Sequence, residues 1–263
     1  CGGINLEEGM RVAVSCPGAV VRWHGEGEPV VIKNSKLRGV ESFGMICASD
    51  EIGLGELFPS ETEGEILDLS AFDVPAGTSL ANALDMNDVL LEIDNKSMTN
   101  RPDLWGHYGI AREIAALYNL PLAKIEPFRA DVQSDFKVEI EDPDRCTRYI
   151  GVEMSGVAVR PAPYKMQNRI WKVGMRPINA LVDITNYVML ATGNPTHAFD
   201  ADNITDHIVV RHAGEGEKLL LLNDKELELN ADDLVITDSE GAVALAGVMG
   251  GAKDSILPKT AVS

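Results

Sequence analysis

GMRPINALVDITNYVMLATGNPTHAFD, running from Gly174 to Asp200, is the stretch from which the rest of the chain can be read. Gly174 and Gly193 bracket a segment in which Leu181, Ile184, Val188 and Ala191 recur at helical spacing. The pattern predicts one helix, opened by Arg176-Pro177-Ile178-Asn179 and stopped by Gly193-Asn194-Pro195. Thr185, Asn186 and Tyr187 interrupt its apolar face. A buried polar group left without a partner costs about 1–3 kcal/mol, so these side chains need either local backbone or a shared pocket. Arg176 at the entrance, Thr185 and Asn186 within, and His197 beyond the exit are placed to line one polar pocket. The alternative is that Thr185 and Asn186 cap local backbone and His197 is a satisfied loop histidine.

Downstream of Asp200 the pattern switches to strands at Ile208–Arg211, Lys218–Leu222, Lys225–Leu229, Leu234–Thr237 and Ala242–Ala246. Asn223-Asp224 and Ser239-Glu240-Gly241 supply the turns between them. Gly247-Val248-Met249-Gly250-Gly251 follows, without the G-x-G-x-x-G spacing of a dinucleotide site. Immediately upstream, Val138–Ile140 and Tyr149–Val157 read as strands, and Tyr164–Val173 as a helix with Met166, Ile170 and Val173 inward and Gly174 as its stop. Helices followed by a run of antiparallel strands predict an α+β class.

Further upstream, Val89–Ile93 is a strand candidate. In Thr99-Asn100-Arg101-Pro102-Asp103-Leu104, Asp103 is placed to cap a helix whose Leu104, Tyr108, Ala111, Ala115 and Tyr118 share a face. Asn119 and Pro121 end it, and Pro121 to Phe136 reads as a linker. Before residue 84, Arg11–Ser15, Gly18–Trp23 and Pro29–Lys33 are short β-rich runs, as in a small barrel. Lys33, Lys36 and Arg38 form the only basic cluster of this segment. The expected division is residues 1–83, a connecting segment 84–137, and a last domain 138–263.

Composition narrows the function classes. The chain has 263 residues and a net charge of −18, which counts against a strong stand-alone nucleic-acid binder because phosphate contacts need a basic footprint. No apolar run approaches the ~20 residues of a membrane helix, and the opening lacks the features of a signal peptide. Four cysteines without a C-x-x-C pair suit a reducing cytoplasm and argue against zinc or a disulfide framework. His207 and His212 read as exposed loop or strand-end residues. There is no G-x-S-x-G elbow, P-loop or H-E-x-x-H motif. An Arg, Thr, Asn and His pocket with glycine backbone suits the orienting of water against an already activated ester.

The run RPINALVDITNYVMLATGNPTHAFD closely resembles the signature of the β subunit of bacterial phenylalanyl-tRNA synthetase, in the domain that edits mischarged tRNA. KLRGVESFGMICASDEIGL resembles the later half of the oligonucleotide-binding (OB) fold that this subunit carries as a tRNA-binding module, and the Asn100-Arg101-Pro102-Asp103 run resembles its joint between modules. The resemblance implies a partial OB-type barrel, a helical joint and an α+β editing domain. It implies hydrolysis of tyrosine misattached to the phenylalanine tRNA, with Arg176 and His197 catalytic and Thr185, Asn186, Gly250 and Gly251 binding substrate. Lys33, Lys36 and Arg38 would contact tRNA, and a further glutamate is expected beyond Ser263. The parent ligase would use ATP and magnesium, pair two α with two β subunits and work in the cytoplasm; no cofactor is expected for the region itself. The alternative is a non-catalytic tRNA- or protein-binding module of the same fold.

Overall fold

The computed structural model describes residues 2–126, 136–253 and 256. The chain is a mixed α+β protein of small sheets and few helices, divided into two compact units. The first comprises Cys1–Asp94 with Pro163–Pro177; the second comprises Asn95–Ala162 with Ile178–Ser263.

In the first unit six short strands pair as three antiparallel ribbons: β1 (Val14–Ser15) with β6 (Met45–Ile46), β2 (Val20–Val21) with β3 (Val30–Val31), and β4 (Ser35–Leu37) with β5 (Val40–Ser42). Trp23, expected to end a strand, instead opens a 3-10 turn in which His24 has φ 51°. Val21, Ile32 and Cys47 form one small core. Ala13, Leu54, Leu67, Leu69 and Leu84 form another, so the acidic stretch around Glu65 is drawn into the fold by its buried leucines. Helix α1 (Leu80–Ala83) is one turn long. Its exit is satisfied by α3 (Tyr164–Lys172): the Tyr164 hydroxyl donates to Leu84 O at 2.8 Å, and Asn168 Nδ2 donates to Leu84 O and Asp85 O at 3.0 and 3.1 Å. Burial pushes the Tyr164 phenol up to about 12. Ile170 is fully buried as expected, whereas Val173 sits past the helix end and is exposed.

The second unit is built on a five-stranded sheet of order β13-β12-β11-β8-β7. Its strands are β7 (Val138–Ile140), β8 (Ile208–His212), β11 (Leu234–Thr237), β12 (Ala242–Leu245) and β13 (Met249–Gly250). The later strands pair antiparallel as expected, but β7 runs parallel to β8, with Val138 opposite Ile208. A separate ribbon joins β9 (Lys218–Leu220) to β10 (Glu226–Glu228), turning through Asp224 at φ 61°. Ile208, Val210, Ile236, Val243 and Ala244 bury one core, against which Phe136, Tyr149 and Phe199 pack; Leu219, Leu221, Leu229 and Val235 bury another.

Two expected strands do not form. Val89–Ile93 and Tyr149–Val157 are non-regular backbone, and Val89, Leu90, Leu91, Ile150, Val152 and Met154 stay exposed. Strand propensity needs a paired neighbour to become a strand, and no ladder reaches either segment among the described residues.

The expected joint helix is also reshaped. Pro102–Trp105 makes a 3-10 turn, and α2 (His107–Tyr118) starts after Gly106. Asp103 does not cap it: its carboxylate accepts from Arg101 Nε and Nη2 at 2.9 and 2.8 Å and from Arg112 Nη2 at 2.6 Å. These guanidinium hydrogen bonds hold the carboxyl far below its usual range. Ala111 and Tyr118 are exposed, and Gly109 is the helix residue that is buried. Asn119 ends the helix at φ 52°, as expected. Most of the expected linker lies outside the described residues.

Candidate functional site around His197

Helix α4 (Ala180–Thr192) forms where the opening stretch predicts it. Asn179 caps its start, its Oδ1 accepting from Leu181 N and Val182 N at 3.1 Å each, and Gly193 closes its end at φ 77°. Asp183 reaches back to accept from Ile178 N at 2.8 Å. Its other carboxylate oxygen is buried without a partner among the described residues, and burial raises its pKa. The apolar stripe is only half covered, since Ile184 and Val188 keep 47% and 37% of their surface exposed.

The far end of α4 meets the joint. His107 Nδ1 donates to Leu190 O at 2.9 Å, satisfying a last-turn carbonyl that has no partner within the helix. Gly106 and Gly193 allow close backbone approach: a Cβ on Gly193 would lie 2.8 Å from Pro102 O, and one on Gly106 would lie 2.9 Å from Gly193 Cα. These glycines fix where α4 stops and so where the following loop begins.

That loop carries His197. Thr196 Oγ1 donates to Thr185 O at 3.4 Å, tying the loop back to the helix. The His197 ring meets Phe199 edge to face, with centroids 4.6 Å apart and planes at 67°. On β13, a Cβ at Gly250 would lie 2.6 Å from His197 Nε2, too close for any real side chain. The residue as a whole is exposed, yet this packing desolvates the ring and lowers its pKa below the usual histidine value. The imidazole is therefore neutral at pH 7, and among the described residues neither ring nitrogen has a hydrogen-bond partner. The other ring-bonded histidines are committed: His107 to Leu190 O, His207 to Asp206 and His212 to Asp142. His207 and His212 were expected to be exposed; both are half-buried by these pairings.

The structure gathers part of the expected site. Thr185, Asn186, His197, Gly250 and Gly251 all belong to the second unit, with Thr185 linked to the His197 loop and Gly250 beneath the ring. The Thr185 hydroxyl donates to Val182 O at 2.7 Å, the local backbone bond that sequence reading kept open. The Asn186 amide has no hydrogen bond among the described residues. Gly251 is buried, where a Cβ would meet Val243 O at 2.5 Å. Arg176, exposed, belongs to the first unit. So do Lys33, Lys36 and Arg38, exposed on and beside the β4–β5 hairpin, whose two-residue loop Arg38-Gly39 has positive φ at both positions. Sequence reading missed Phe199, although its place two residues after His197 was the available signal. Among the described residues no cluster of His, Cys, Asp and Glu could hold a metal ion, and no helix is long and apolar enough to cross a membrane.

A family described as the B3/4 domain matches residues 145–261. The phenylalanine–tRNA ligase β subunit of Pectobacterium atrosepticum is 40% identical over 99% of this chain and 31% of that protein. Those of Oceanobacillus iheyensis and Hahella chejuensis are 39% and 40% identical, each over 99% of this chain and 32% of theirs. This chain belongs to the phenylalanine–tRNA ligase β-subunit family. It spans about a third of the length of these relatives. Because the match runs from end to end of the chain, the ribbons of the first unit, the joint and the His197 loop all lie within β-subunit sequence. A solved N-terminal fragment of the phenylalanyl-tRNA synthetase β subunit from Pyrococcus horikoshii aligns at 21% identity and a TM-score of 0.35, over 66% of this chain and 56% of that one. A likeness at that level does not decide the fold.

Proposed function

We propose that this chain is the tRNA-binding and editing portion of a phenylalanine–tRNA ligase β subunit, and that its second unit hydrolyses Tyr-tRNA(Phe). The observation that carries the reading is the His197 imidazole, neutral, backed by a glycine and without a hydrogen-bond partner at either nitrogen among the described residues. Such a ring can accept a hydrogen bond from water. The water oxygen adds to the ester carbonyl carbon, the bond to the ribose oxygen breaks, and the proton passes from the water to that oxygen, giving free tyrosine and tRNA. An aminoacyl ester is reactive enough for positioning to supply much of the acceleration. Asn186, whose amide is unspent among the described residues, would bind substrate with Thr185, and Gly250 and Gly251 would form the wall. A site built to hydrogen-bond the phenolic hydroxyl rejects phenylalanine strongly, because its own polar groups would be left unpaired.

In this reading the ribbons of the first unit belong to a partial OB-type barrel, and Lys33, Lys36 and Arg38 contact tRNA phosphates. The whole ligase would pair two α with two β subunits in the cytoplasm and use ATP and magnesium. In it the α subunit supplies the ligation centre, and no residue of this chain is assigned to either cofactor.

The test is His197→Ala in the assembled ligase. Deacylation of Tyr-tRNA(Phe) should fall by about 10²-fold or more, the scale of a lost proton-transfer group, while Phe-tRNA synthesis stays unchanged. Equal loss of both activities would assign His197 a folding role. A binding module of the same fold is the second reading, favoured by the local bond that Thr185 spends on Val182. It predicts tRNA binding without deacylation in the unaltered ligase.

A further inference from the structure

The His197 ring is held by groups that the hydrolytic chemistry itself does not require. Phe199 leaves the His197 loop to pack against the core of Ile208, Val210 and Val243, so its ring is anchored in the sheet while it meets the imidazole edge to face, with centroids 4.6 Å apart. Gly250 is buried on β13, where hydrogen bonding to β12 fixes its backbone, with Ala244 opposite. Its missing side chain is the space that the imidazole occupies. A Cβ there would also come within 3.3 Å of Leu222 Cδ1, so the ring could not be accommodated by a small shift of that neighbour alone.

We propose that Phe199 and Gly250 are positioning residues that together fix the orientation of the His197 imidazole, one by packing edge to face with it and the other by lacking a side chain. This rests on the editing reading for its purpose, but the seat itself is a property of the fold. Gly250 thereby acts through His197, beyond its place in the pocket wall. Phe199 and Gly250, the groups set against the ring, are both uncharged, and burial is the cause of the lowered His197 pKa. The seat therefore sets both where the ring points and that it is neutral at pH 7.

The experiment is a proton NMR titration of His197 in the intact chain, beside steady-state deacylation of Tyr-tRNA(Phe) by the assembled ligase, for the unaltered protein, Phe199→Leu, Phe199→Tyr and Gly250→Ala. In the unaltered protein His197 should titrate below the ordinary value of about 6.5 and show cross-relaxation to the Phe199 ring. Phe199→Leu should move the titration up toward that value and lower kcat by about 10- to 100-fold, the scale of a misplaced catalytic group, with KM little changed. Phe199→Tyr should restore both. Gly250→Ala should likewise shift the His197 signals and serves if Phe199→Leu does not fold. His207 and His212, whose carboxylate partners lie elsewhere in the unit, report an intact fold by unchanged ring resonances at pH 7. An unmoved His197 titration in folded Phe199→Leu and Gly250→Ala would overturn the proposal. Moved titrations in a ligase that never deacylates Tyr-tRNA would uphold the seat and remove the editing reading.

Discussion

At Asp183 burial and hydrogen bonding oppose each other. One carboxylate oxygen accepts from Ile178 N, and the other is buried without a partner among the described residues. Desolvation wins and raises the folded pKa. The cost of the charge is thus absent below the unfolded value of about 3.9 and fully present once the pH exceeds the folded value. Asp183→Asn keeps an acceptor for Ile178 N and removes the charge. It should unfold at higher temperature than the unaltered chain at pH 7, with the gap closing as the pH falls through 4; a gap that widens on acidification would refute this. Individual residues were unevenly legible in the sequence. Asn179 and Gly193 could be named as caps because capping chemistry is local. The buried Asp183 could not, because nothing in the order of residues says that the first turn of this helix is covered.

Among the elements, α4 depends on both of its ends. Replacing Asn179 with Ala strips the acceptor from two amides and should cost about 1 kcal/mol, as N-cap deletions commonly do, read as a lowered denaturation midpoint. Gly106→Ala should cost about 1–3 kcal/mol, since the added methyl meets the Gly193 backbone and not a side chain that could turn away. Helices proved readable because their periodicity, caps and stops are written within a dozen residues. The strands were readable only where partners existed. Leu234–Thr237 and Ala242–Leu245 formed because a short turn returns one onto the other. Val89–Ile93 and Tyr149–Val157 also read as strands but join no ladder among the described residues. The parallel pairing of β7 with β8 was equally hidden, for it joins residues about seventy positions apart.

For the whole molecule the decisive quantity is charge. A net −18 repels nucleic acid, so tRNA affinity needs a local group of cations, and the exposed Lys33, Lys36 and Arg38 are the ones the proposed reading sets against phosphates. Replacing all three with Ala should weaken binding uniformly across RNA sequences and flatten the plot of log affinity against log salt by about 2–3 units, near 0.7–0.9 for each phosphate no longer neutralised. An unchanged salt slope would assign RNA binding to other residues. The pocket was legible as a set of residue types, but its assembly was not. Arg176 and His197 stand only 21 positions apart, yet they fall in different compact units.

That interleaving has a consequence for synthesis. The first unit needs α3, whose Ile170 is fully buried and whose Asn168 holds the Leu84 carbonyl, but α3 leaves the ribosome after the whole of Asn95–Ala162. The earliest residues must therefore wait, unfinished, while part of their neighbour is already outside the exit tunnel. For the same reason no single protease cut can release either unit intact.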